Sequence, residues 1–318
     1  MVLLSTIRSS NTLIRSILPA ELVAVFVGAT SGIGEATLKE FAKHCRQARV
    51  YFIGRSKDAG DRISAECKAS NAEAKFEFIQ ADVSLIRNVD KICDEIKAKE
   101  NAINLLVLSQ GLPAFDRNGR MLRRVVFVAG AGKEGPVDTT DWQARRIPLT
   151  ALRGQLTTMI TLGLETIAKQ APDISFIHTY PGTVRTSLLD RMTGLRGILL
   201  RMYTYLLGSW VCVPLEESGE RHLYLATSGR FPAAENSTGE DVGVPLREGD
   251  EKARGTSGAT GSGIYSVGWD CESSLASVEK LLADYREQGM GDQILEHVNA
   301  EFERILGVQV QPTLVLRN

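Results

Sequence analysis

Six apolar residues, Leu22 to Val27, run straight into the glycine-rich turn Gly28-Ala29-Thr30-Ser31-Gly32-Ile33-Gly34. Helical spacing follows at Ala36, Leu38, Phe41 and Ala42. An uninterrupted apolar run this short reads as a strand buried on both faces, the habit of parallel sheets. A strand that enters a helix through such a turn brings backbone N–H groups to the helix N-terminus with no Cβ in front of them, and this is a cradle for phosphate. Thr30 and Ser31 add hydroxyl donors. Glycine is common in structural turns; the strand–turn–helix context is what points to a dinucleotide pyrophosphate here.

The alternation continues along the chain. Residues 49–53, 75–79, 103–108, 125–129, 174–178 and 263–267 read as strands, the last at the sheet edge. Residues 59–70, 86–100, 149–170, 216–226 and 275–306 read as helices, and 235–262, rich in Gly, Ser and Thr, as loop. This predicts an α/β fold: a Rossmann-like doubly wound parallel sheet in a single domain, 21–318, preceded by an N-terminal extension, 1–20. The extension holds Arg8, Arg15 and several serines but no acid, so it is either a transit peptide or a segment that packs on the domain.

Composition narrows the function classes. A net charge of −1 lacks the basic excess of a nucleic-acid binder. Five scattered cysteines make no CxxC pair and no Cys/His cluster, which predicts a reduced, cytoplasmic setting and no metal site. The most apolar stretch, 188–214, is interrupted by Asp190, Arg191, Arg196 and Arg201, so no membrane span is expected. At the end of the second strand, Arg55 stands where an acid would bond a ribose 2′-hydroxyl. An arginine there favours a 2′-phosphate, hence NADP(H) over NAD(H); the alternative is a solvated surface arginine.

In order and spacing, Gly28 to Gly34, Asp82-Val83, Ser109-Gln110-Gly111 and the run Tyr180-Pro181-Gly182-Thr183-Val184-Arg185-Thr186 resemble the short-chain dehydrogenase/reductase family. The wording of 27–35, 131–136 and 263–269 is similar to its fungal secondary-metabolism branch. The resemblance implies that Asp82 and Val83 meet the adenine and that Ser109 and Gly111 lie beside the cofactor. It also implies that Pro181 and Gly182 border the nicotinamide, with Thr183 to Thr186 closing over carboxamide and diphosphate. Residues 188–214, with Met192, Met202, Tyr203, Tyr205 and Trp210, would form a lid for a bulky apolar substrate, or else simply cover the core.

Two departures stand against that pattern. The family's chemistry uses a Tyr acid/base, a Lys four residues later and a Ser. None of the seven tyrosines here has a Lys four positions on, no Tyr lies between Tyr51 and Tyr180, and no Ser lies from Gln110 through Ile174. Thin substitutes remain. Lys133 and Glu134 follow the fifth strand and could reach the cofactor cleft, Arg153 could hold the ribose but not donate a proton, and Tyr180 and His178 end the sixth strand, where a structural role is the alternative for the tyrosine. The second departure is a shortened crossover: only thirteen residues, 112–124, separate Gly111 from Val125, including Pro113, Asn118 and Gly119. A parallel crossover needs a dozen residues or more and usually a helix. Either neighbouring elements fill the gap or the chain is a truncated, non-functional product. Three functions stay open: an NADP-dependent oxidoreductase acting on a carbonyl or alcohol of an apolar small molecule, a catalytically inactive nucleotide-binding scaffold or regulator, and that truncated product. The oligomeric state is open as well.

Overall fold

The computed structural model describes residues 1–109, 122–186, 202, 212–234 and 243–307. Seven parallel strands make one sheet in the order β3-β2-β1-β4-β5-β6-β7. They are β1 (Val23–Val27), β2 (Arg49–Gly54), β3 (Lys75–Gln80), β4 (Leu105–Leu108), β5 (Arg124–Val128), β6 (Ser175–Thr179) and β7 (Ile264–Val267). The strand order reverses between β1 and β4, the switch point at which such sheets bind ligands.

The apolar run of β1 is explained by the two faces it serves. Ala24 and Phe26 enter one core, Val23 and Val25 the other, as the two-residue period of a strand demands. The first face is covered by α1 (Leu4–Ile17), α2 (Gly32–His44), α3 (Lys57–Ser70) and α6 (Leu215–Thr227). The second is covered by α4 (Ile86–Lys99) and α5 (Leu149–Gln170). Outside α5 lie α7 (Ala276–Glu287) and α8 (Met290–Leu306), joined to it by Leu162, Leu282 and Ile294. The sequence reads 275–306 as one helical stretch; Gly289, with φ +66°, breaks it into two helices.

The N-terminal residues form a packed helix. Ile7 and Ile14, two turns apart on α1, are fully buried, and Asn11 Nδ2 donates to the Glu220 carbonyl at 3.0 Å.

The shortened crossover leaves the sheet intact. Leu105 to Leu108 pair in register with Arg124 to Phe127, and Leu106, Leu108, Val125 and Phe127 are buried on the second face. On that face α8 packs along α5 and reaches α4. Residues 110–121 of the connection, and most of 188–214, lie outside the described residues. Buried Arg124 ties β5 to the end of α6, donating to the carbonyls of Leu225 (3.1 Å), Ser228 (2.7 Å) and Phe231 (2.7 Å). No helix among the described residues is long and apolar enough to cross a membrane.

Candidate functional site

Because every strand runs the same way, all seven C-terminal ends share one edge, and the segments leaving them build the site. At β1 the turn hangs from its neighbour: Gly28 N and Ala29 N both donate to Ile53 O, at 3.0 and 3.2 Å. Gly28 (φ +81°) and Gly32 (φ +62°) adopt left-handed conformations that a side chain resists. Ser31 caps α2 without turning its hydroxyl onto the helix, leaving the first N–H groups with no side-chain acceptor. Close approach is enforced at Gly34, where a Cβ would stand 2.6 Å from both Gly28 O and Ser109 Oγ. Ser109 braces the turn from β4, its hydroxyl lying 2.9 Å from Val27 O and 3.1 Å from Gly28 O. Thr30 packs its side chain against Gly54, and Ile33 is half-buried.

The adjoining strand ends carry the other expected residues. Arg55 is exposed, its carbonyl accepting from Gln80 Nε2 at 3.1 Å. Asp82 accepts from the Ser84 hydroxyl (2.8 Å) and amide (3.1 Å), and these bonds, the hydroxyl first, hold its carboxyl below the usual range. Val83 packs against the second-face core. Gly111 lies outside the described residues. Beyond β6, Pro181 and Gly182 (φ +78°) turn the chain, Thr183 O accepts from Val213 N at 2.8 Å, and Thr186 arrives against Gly32 of the glycine turn after β1.

Three of the substitutes named from sequence converge. Lys133 Nζ lies 5.8 Å and Arg153 Cζ 4.6 Å from the centroid of the Tyr180 ring. Their meeting point is the end of β5 and β6, beside the first turns of α5.

A family model described as short chain dehydrogenase matches residues 22–126. Oxidoreductase AN1596 of Emericella nidulans is 32% identical over 337 aligned residues, covering 94% of this chain and 98% of that protein. This chain belongs to the short-chain dehydrogenase/reductase family. Oxidoreductase andH of Emericella variicolor is 30% identical over 336 residues, covering 96% of this chain and 98% of that one. Both alignments are longer than the 318-residue chain, so these fungal relatives carry residues with no counterpart in it. Among solved structures, the L-sorbose reductase from Gluconobacter frateurii complexed with NADPH and L-sorbose gives a TM-score of 0.48 at 15% identity, covering 65% of this chain and 90% of that one.

For a short-chain dehydrogenase/reductase the exit of β5 is unusual. A Cβ on Gly130 would collide with Thr157 Oγ1 and come 3.8 Å from Arg153 Nε, so a serine there requires the Thr157 side chain to turn away. Below it lies a buried polar layer in which Glu134 and His178, candidates from the sequence, meet Thr161 and Ser266, which the sequence did not single out. His178 Nε2 accepts from Gly130 N (3.2 Å), which leaves Nδ1–H to face Thr161 Oγ1 (2.9 Å). Burial without a charged partner pushes this histidine down to about 3, so it is neutral. The hydroxyls of Thr161 (2.9 Å) and Ser266 (2.7 Å) both donate to Glu134 Oε1. One signal was legible: Arg153, Thr157 and Thr161 recur every fourth residue and so share one face of α5.

Proposed function

We propose that this protein is an NADP(H)-dependent oxidoreductase acting on a carbonyl or alcohol of a bulky, largely apolar small molecule, working in the cytoplasm within fungal secondary metabolism. The observation that carries the proposal is the phosphate turn. Its glycines hold a left-handed, Cβ-free cradle at a helix N-terminus on the switch point of the sheet. A dinucleotide fits that cradle, with Gly28, Thr30, Ser31, Gly32, Ile33 and Gly34 around its pyrophosphate. Exposed Arg55 would take the 2′-phosphate, and Asp82 and Val83 the adenine side. Ser109 and Gly111 would line the middle, with Pro181, Gly182 and Thr183 at the nicotinamide. Bound NADP(H) would supply or accept the hydride. Tyr180 is the residue we assign to proton exchange with the substrate oxygen, because a phenol can donate and Arg153 beside it cannot.

The test is NADPH oxidation against a panel of apolar aldehydes and ketones, with Tyr180→Phe alongside the unaltered chain. Turnover that falls about a hundredfold in the variant supports the assignment, given the size of general acid contributions. A second reading, nucleotide binding without turnover, draws on the crowded Gly130 and the missing Tyr–Lys–Ser set. NADPH binding with no oxidation across the panel would select it.

A further inference from the structure

Two cations face one aromatic ring at the end of β5 and β6, and among the described residues no carboxylate pairs with either. Lys133 and Arg153 are both exposed, and both lie over the Tyr180 ring. Among the described residues neither is within ion-pair distance of a carboxylate. The adjacent acid in the chain is turned away. Glu134 Oε1 is taken by the Thr161 and Ser266 hydroxyls, and its Oε2 is buried with no hydrogen-bond partner. Nor does the helix behind offset the charge. The first turn of α5 carries no acidic residue, and the helix N-terminus itself adds partial positive charge. Two cations over one ring, beside a helix end of the same sign, make this edge of the sheet favourable for an anion.

The position decides whose anion it is. Three strand spacings separate β1 from β6 in the order β1-β4-β5-β6, which is roughly 14 Å at 4.7–4.9 Å per strand. The pyrophosphate cradle is therefore well away from Tyr180. Arg55, the candidate for a 2′-phosphate, directly follows β2, on the far side of β1. We infer that Lys133 and Arg153 hold an anionic group, a carboxylate or similar planar oxyanion, carried by the substrate beside the Tyr180 ring. A guanidinium matches such a group with two parallel N–H bonds, and a lysine ammonium adds a point charge. The substrate is then amphiphilic: an apolar body with an acidic group near the reacting carbon. This deepens the oxidoreductase reading and rests on it for the word substrate.

The probe pair is 2-naphthoate and 2-naphthalenemethanol, equal in apolar body and differing in charge. Each is titrated by calorimetry into the full chain, with and without saturating NADPH. The expected result is naphthoate binding at least tenfold tighter than the alcohol, with the advantage shrinking as salt is raised. In Lys133→Gln/Arg153→Ala naphthoate affinity falls at least tenfold, while alcohol and NADPH affinities stay within about threefold. Arg153→Lys recovers part of the loss. Equal affinity for the two probes, or no naphthoate binding, overturns the inference. So does a double variant that loses NADPH affinity in parallel, since the cations would then serve the cofactor. Absence of NADPH binding to the unaltered chain sinks the cofactor reading instead, and the nucleotide-free naphthoate titration still decides the anion site. Both side chains are exposed, so circular dichroism of the variants is expected to match that of the unaltered chain.

Discussion

Thr186 rests on Gly32: a Cβ added to that glycine would stand 3.1 Å from Thr186 Cγ2. The segment that leaves β6 therefore closes onto the turn that leaves β1, across the two strands between them. Gly32 also has φ +62°, so any side chain is strained there as well as crowded. Gly32→Ala is expected to lower stability by about 1–2 kcal/mol from the left-handed backbone alone. It should weaken NADPH binding at least tenfold. Thermal melting and a nucleotide titration check the two effects separately.

Placing a serine at Gly130, at the end of β5, should not supply the missing catalytic set. Gly130→Ser places its Cβ against Thr157 Oγ1, beneath the Arg153 side chain. The expected outcome is a loss of about 1–3 kcal/mol, typical of overpacking, with no gain in turnover. The double variant Gly130→Ser/Thr157→Ala, which opens the space, should recover most of that stability in a urea melt.

Two buried histidines set a pH dependence of stability. Burial lowers His178 to about 3 and His222 to about 4, against an ordinary value near 6.5. Between those folded values and about 6.5 the unfolded chain binds more protons than the folded one, so stability rises with pH in that window. Taking the pH from 6.5 toward 4 should therefore cost about 1.4 kcal/mol per unit for each histidine. Urea unfolding at successive pH values reads the slope, and His222→Gln should reduce it. A flat profile from pH 6.5 to 4 would contradict the burial account.

Arg124 is 2% exposed and serves three carbonyls at the end of α6. Arg124→Met leaves those acceptors without their donor in a dry setting. A loss of about 3–5 kcal/mol is expected, within the range for breaking a buried charged network. Differential scanning calorimetry is the measurement.

The fold and the glycine turn after β1 were legible for a common reason: both are written in local pattern. The unbroken run from Leu22 to Val27 reports burial on two faces, and the glycines that follow report backbone conformations few residues adopt. The N-terminal helix was harder, because its apolar face reduces to a few positions such as Ile7 and Ile14 among serines and threonines. What escaped was the joining of Glu134 and His178 to Thr161 and Ser266 in one polar layer. Glu134, Thr161, His178 and Ser266 come from four separate segments, and only the sheet order brings β6 and β7 beside the loop after β5. The meeting of Lys133, Arg153 and Tyr180 is of the same kind. Each was a candidate on its own, but their common ring contact depends on the register of α5 against β6.

The central claim is a nicotinamide dinucleotide in the cradle, with Arg55 reading its 2′-phosphate. Calorimetric titration of the full chain with NADPH and with NADH, repeated in Arg55→Ala, tests it most directly. The account predicts NADPH bound at least tenfold tighter than NADH, and that preference erased in the variant while NADH affinity holds. A folded chain that binds neither nucleotide, or a preference that survives Arg55→Ala, would contradict it.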